Sequence, residues 1–153
     1  MDRVLYQEDY YGWLQENAQL IREKRFSELD VDNIVEELES MGKSEKRELS
    51  NRLTVLLTHL LKWQYQTVKR STSRRNTVAV QRIDIRELLE DSPSLRNEIS
   101  DKIETAYEKA KLAAEVETGI EKQNFPATCP FSPEQILDEN FLPDERKLKS
   151  EEL

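Results

Sequence analysis

Apolar residues recur at helical spacing along most of this chain, most regularly between Asp30 and Gln66. Ile34, Leu38 and Met41 are followed by Leu49, Leu53, Leu56, Leu60 and Trp63, in steps that keep them on one stripe of a helix. The stripe holds its phase across Gly42, which predicts either one kinked helix or two helices with a sharp joint. Leu57 and Leu61 widen the apolar face beyond a coiled-coil seam, so this half is expected to run through the centre of a bundle.

The flanking segments supply the other helices. Asp9 is a good N-cap for a helix running to about Lys24, with Tyr10, Trp13, Leu14, Ala18 and Ile21 inward. Arg25 to Ser27 form a connection, with Phe26 and Leu29 tucked beneath the bundle. After Trp63 the pattern fades through a polar crossing, residues 66–73. A third helix is expected from about Ser73 to Glu90, with Val78, Ile85, Leu88 and Leu89 inward; Val80 and Ile83 fall off that stripe and need a second contact. Asp91-Ser92-Pro93-Ser94 punctuates the chain, and a long last helix follows from Leu95 to Thr118, with Gly119 in the position that commonly ends a helix. From Asn124 the composition changes. Four prolines lie among Phe125, Phe131, Ile136, Leu137, Phe141 and Leu142, too many apolar anchors for a free tail. An extended strap is expected there, with one short helix opened by Ser132 and Pro133. Residues 144–153 lack apolar periodicity and are expected to fray.

The predicted class is all-α: a four- to five-helix bundle with a Pro-rich C-terminal strap (124–143), forming a single domain over residues 1–143. Composition supports it, since 153 residues can bury a sizeable core. The charged fraction of 35% exceeds the roughly 25% of ordinary domains. With a mean hydropathy of -0.79, that points to thin helices with wet outer faces. The net charge of -8 argues against a general nucleic-acid binder. No apolar run is long enough to span a membrane, and the N-terminus lacks the design of a secretion signal, so no membrane and a cytoplasmic setting are expected. The lone Cys129 forms no internal disulfide, which fits a reducing compartment.

Candidate chemistry is sparse. His59 is the only histidine, one turn from Trp63; it is read as a core-edge histidine rather than a proton carrier. One His and one Cys cannot build a standard zinc site, and the acids Glu36, Glu37, Glu39, Glu45 and Glu48 are read as a solvated face. No metal and no cofactor are predicted. Neither a nucleophile elbow nor a glycine-rich phosphate loop occurs, and no catalytic residue is assigned. The charge distribution is more informative. Lys62, Lys69, Arg70, Arg74, Arg75, Arg82 and Arg86 stand between positions 62 and 86 with one acid, Asp84. These bases either face an anionic partner or pair with acids of neighbouring helices. Gln81 and Arg82 point inward or to the flank, where the 66–73 crossing is their expected partner.

Several strings resemble a known family. They are Tyr11-Gly12-Trp13-Leu14; the run from Glu36 to Glu45; Leu56 to Gln64; Thr77-Val78 with Gln81-Arg82; and Leu88-Leu89 with Asp91-Ser92-Pro93-Ser94-Leu95. Ala106-Tyr107, Glu117-Thr118-Gly119, Phe125-Pro126, Cys129-Pro130 and Phe141-Leu142-Pro143 complete the set. Over about residues 6–143 the chain resembles the bacterial helical proteins called "domain of unknown function 29", abundant in cyanobacteria. It departs from them at Arg74, where the family pattern often has tryptophan. The resemblance implies a helical bundle of this length and assigns no activity.

The expected function is a small non-enzymatic protein–protein interaction module, adaptor-like or antitoxin-like, with an unidentified protein partner. Its binding candidates are His59, Trp63, Arg70, Arg74, Arg75, Gln81 and Arg82. One alternative is a hydrolase or small-ligand binder with a pocket near His59. A second, less favoured, is nucleic-acid binding through the basic 62–86 segment.

Overall fold

Asp9 opens the first helix as its sequence context requires, its carboxylate accepting the Gly12 amide at 2.9 Å. In the computed structural model, residues 5–143 are described. They hold five helices: α1 (Tyr10–Arg22), α2 (Val31–Tyr65), α3 (Thr72–Asp91), α4 (Ile99–Thr118) and the short α5 (Pro133–Leu137). Short 3-10 segments link them, three residues long except for the six of Pro93–Glu98, and no strand occurs among the described residues. The all-α class therefore holds. Gly42 does not break the central segment into separate elements, since α2 is continuous over 35 residues. The expected fraying of residues 144–153 lies outside the described residues.

The chain divides into two compact units, Met1–Ser44 and Glu45–Leu153. In the first, α1 and the start of α2 run antiparallel, because Trp13 and Asn17 meet Asp30 while Tyr6 and Tyr10 meet Glu37. The buried line is Trp13 and Asn17. Tyr10, Leu14 and Ile21, expected inward, are 44%, 38% and 47% exposed. Asn17 displaces them because its amide is fully used, donating to the Trp13 carbonyl at 2.9 Å and accepting from the Asp30 amide at 3.0 Å. Phe26, expected beneath the bundle, is also exposed.

In the second unit the leucine ridge behaves as its spacing demands. Leu49, Leu53, Leu56, Leu57, Leu60 and Leu61 are fully buried, together with Val78, Ile85 and Leu89 of α3 and Ile99 and Ile103 of α4. Each such side chain contributes roughly 1.5–3 kcal/mol of transfer free energy. Ala106, Ala110 and Ala114 recur one turn apart and are wholly buried, so α4 can approach its neighbours closely. Gly119 ends α4 with φ 77, a left-handed backbone that glycine adopts without penalty.

The strap closes over this core. Phe125, Phe131 and Ile136 are buried, and Ser132 forms a reciprocal cap with Gln135 at the start of α5. Tyr107 donates to the Pro126 carbonyl at 2.6 Å, and Lys111 donates to the Ala127 carbonyl at 3.1 Å. Arg82, 4% exposed, departs from expectation. It fastens the strap rather than the 66–73 crossing, donating to the carbonyls of Ile136 (2.9 Å), Phe141 (2.7 Å) and Gln135 (3.2 Å). The planar fork of the guanidinium, with donors on three nitrogens, suits three carbonyls spread along the strap.

Candidate functional site

The C-terminus of α2 leaves carbonyls without helical partners, and the crossing turns basic side chains back onto them. Arg70 donates through Nε to the Trp63 carbonyl at 2.8 Å, and its guanidinium lies 4.9 Å from the centre of the Trp63 ring. Arg75 stands over the same ring at 5.8 Å. The negative face of the indole attracts both cations, so Trp63 is 7% exposed beneath two arginines. Ser71 caps α3 by accepting the Arg74 amide at 3.1 Å, which sets Arg74 and Arg75 on the first turn. Arg74 then donates to Gln66 Oε1 at 2.6 Å, while its Nη1 is buried without a partner.

The charge balance of this region is uneven. Lys62 pairs with Glu117 at 3.3 Å, Arg86 pairs with Glu139, and the acid Asp84 is taken by Arg52 at 3.0 Å. Among the described residues, no carboxylate lies within ion-pair distance of Lys69, Arg70, Arg74 or Arg75. Four cations therefore collect at one end of α3, in a chain of net charge -8.

His59 sits half-buried one turn before Trp63. Burial first, then the charges of Lys62 and Arg74, push its imidazole below the ordinary histidine value against the opposing pull of Glu117. It is a neutral ring at neutral pH. The structure thus brings Trp63, Arg70, Arg75 and Arg74 together, with His59 beside Arg74. Arg82, further along α3, is turned away from them and bonded to the strap. Gln81 shows a different face: its Oε1 is buried without a partner, and with Ser73, Asn76, Thr77 and Val80 it lines an open depression of about 480 Å³ on α3. His59, Trp63 and Arg70 are not among the described residues lining that depression. Val80 and Ile83 are 52% and 39% exposed, as residues off the inward stripe should be.

Cys129 packs half-buried against the core and donates weakly to the Phe131 carbonyl at 3.5 Å. Burial pushes its thiol above the ordinary value against the opposing hydrogen bond to Phe131, a shift that favours the protonated form.

One cluster escaped sequence reasoning. Glu37, read as part of a solvated face, accepts the hydroxyls of both Tyr6 and Tyr10, the latter at 2.6 Å. Those bonds lower the Glu37 carboxyl and raise both phenols, Tyr6 to about 12. Trp13 packs against both tyrosine rings and donates Nε1 to Asp30 at 2.8 Å. A polar Asn17 one turn after Trp13 was the one sequence sign of a buried network there. Among the described residues, no three His, Cys, Asp or Glu side chains stand close enough to hold a metal ion.

Residues 5–142 match the family described as "Domain of unknown function DUF29". No curated protein and no solved structure matches the chain.

Proposed function

The chain belongs to the DUF29 family, and from that premise we propose that it is a non-enzymatic protein–protein interaction module, adaptor-like or antitoxin-like. In this reading it receives an acidic protein partner on the outer face of α3 and the basic crossing before it. The observation that carries the reading is the set of Lys69, Arg70, Arg74 and Arg75, none with a carboxylate in ion-pair range among the described residues. Beside them stand the exposed Val80 and Ile83 and the shallow depression along α3. Exposed apolar contacts on the same helix as a cluster of cations suit an acidic protein surface, the cations for fast encounter and the apolar contacts for register.

Catalysis has less support. Burial and the charges of Lys62 and Arg74 disfavour a protonated His59, no nucleophile is bonded to it among the described residues, and burial favours the protonated Cys129 thiol. A polyanionic nucleic acid meets an overall charge of -8, which opposes approach beyond the local patch. No helix among the described residues is long and apolar enough to cross a membrane. A cytoplasmic setting goes with the proposed reading.

The test uses the tagged full chain, exposed to nuclease-treated extract of its native cells. A protein should be retained by the unaltered chain and lost from the Arg74→Glu/Arg75→Glu double variant and from Val80→Asp. Retention indifferent to all three substitutions, or no retained protein, would contradict the reading. Capture seen only from a parallel, untreated extract and lost on nuclease treatment would assign the patch to nucleic acid instead.

A further inference from the structure

The apolar arc of α2 is continuous, yet only part of it is covered. At about 100° per residue, Val31, Val35, Leu38 and Gly42 fall within an arc of about 60°. Leu49, Leu53, Leu56 and Leu60 occupy the same arc. The leucines of the later stretch are all fully buried, whereas Val31, Val35 and Leu38 are 56%, 43% and 62% exposed, and Met41 beside them 58%. α1 repeats the pattern. Tyr10, Leu14 and Ile21 form an exposed stripe beside the packed line of Trp13 and Asn17. Both exposed stripes are rotated in the same sense from the line that packs. In an antiparallel pair that places them on one side of the hairpin.

We propose that this side of the α1/α2 hairpin, within residues 5–44, is a docking surface for the same side of a second copy of the chain. The two hairpins form a two-fold, four-helix assembly.

Three observations select a second copy as the occupant. The hairpin is below the size at which a helical unit is stable alone, and among its described residues it buries only Trp13 and Asn17. A matching hairpin completes the four-helix arrangement that two helices with one apolar side lack. The area is also sufficient. At roughly 150 Å² for a whole side chain, half-exposure of seven gives on the order of 500 Å² per copy, about 1,000 Å² for two, the threshold of a specific interface. Finally, the arc is built for a two-fold crossing. Gly42 lies in it, and nothing in the chain comes within 4 Å of a Cβ placed there. A mid-helix glycine that no neighbour approaches weakens the helix without internal benefit, but it lets a second helix backbone come close. Around it charges of both signs alternate, Glu36 and Glu39 before the glycine and Lys43, Glu45, Arg47 and Glu48 after it, so a two-fold copy does not meet a field of one sign. This surface is separate from the basic crossing and stands whether or not that crossing binds a protein.

Light scattering on the full chain, at about 1 to 200 µM, tests the proposal. A mass of about 36 kDa at the upper concentrations is expected, twice the 18.1 kDa of the chain. Leu38→Asp and Leu14→Asp should each halve it while helical circular dichroism is retained. Leu38 is 62% exposed within the single chain, and Leu14 lies off the packed line of Trp13 and Asn17, so the retained helical signal separates loss of pairing from loss of fold. Val116→Asp, at an 85% exposed site on α4, should leave the mass unchanged. A mass of 18.1 kDa throughout would overturn the proposal, as would a larger species that survives both hairpin substitutions or one that Val116→Asp dissolves.

Discussion

Arg82 carries its charge into a site that is 4% exposed, and among the described residues it meets carbonyls rather than a carboxylate. Burial lowers its affinity for the proton, and the more distant Asp138 opposes that shift. The account therefore predicts that Arg82→Met loses about 3 kcal/mol in urea unfolding, because three buried acceptors are left unpaired. Limited proteolysis of the strap should accelerate in the same variant. Arg82→Lys should recover only part of the loss, since its three donors radiate from a single nitrogen, whereas the bonds made by Arg82 leave from Nε, Nη1 and Nη2. His59 gives a pH prediction. Its folded value lies below the ordinary 6.5, so the unfolded chain takes up the proton first as pH falls. The stability it contributes is complete above that value and is lost as pH drops through the folded one. The urea midpoint should fall between pH 7 and pH 5, and His59→Gln should flatten that part of the profile. Residue identity made Arg82 legible as an inward base. Its partners were not, because they lie 53 to 59 positions away and are backbone atoms, which leave no trace in side-chain pattern.

The elements were legible where one physical requirement dominates. Asp9, Ser71 and Ser132 cap helices as short polar side chains do, and Gly119 ends α4 with the positive φ expected of a terminal glycine. Gly119→Ala should destabilise by about 1 kcal/mol, read from thermal or urea unfolding, and Gly119→Asn by less, because asparagine tolerates the left-handed region. Nothing approaches within 4 Å of a Cβ at Gly119, so the penalty is backbone strain and not a clash. In α1, Trp13 packs inward as expected, but the rest of the expected face does not. Tyr10, Leu14 and Ile21 form the more apolar stripe, yet the line through Trp13 and Asn17 packs, because Asn17 satisfies the Asp30 amide while Trp13 reaches the Asp30 carboxylate. Hydropathy cannot rank a stripe whose value lies in hydrogen bonds. The candidate site shows the same division. The crowd of bases from 62 to 86 was visible, but which of them pair, which cap Trp63 and which hold the strap depended on contacts between elements.

At the scale of the molecule, the central claim is a division of labour along α2. Residues 49–63 form a ridge enclosed by α3, α4 and the strap, whereas the same arc at residues 31–42 stays open for a second copy. Periodicity announced one ridge throughout. It could not say that the covering ends, because coverage depends on what packs above the stripe and not on the stripe itself. Hydrogen exchange of the backbone amides, measured on the full chain at low and at high protein concentration, tests this most directly. The account predicts that amides of 53–61 and 103–110 exchange slowest and equally at both concentrations, while those of 31–42 and of α1 slow markedly as concentration rises. Protection of 31–42 that matches the ridge and ignores concentration, or rapid exchange within 53–61, would contradict it.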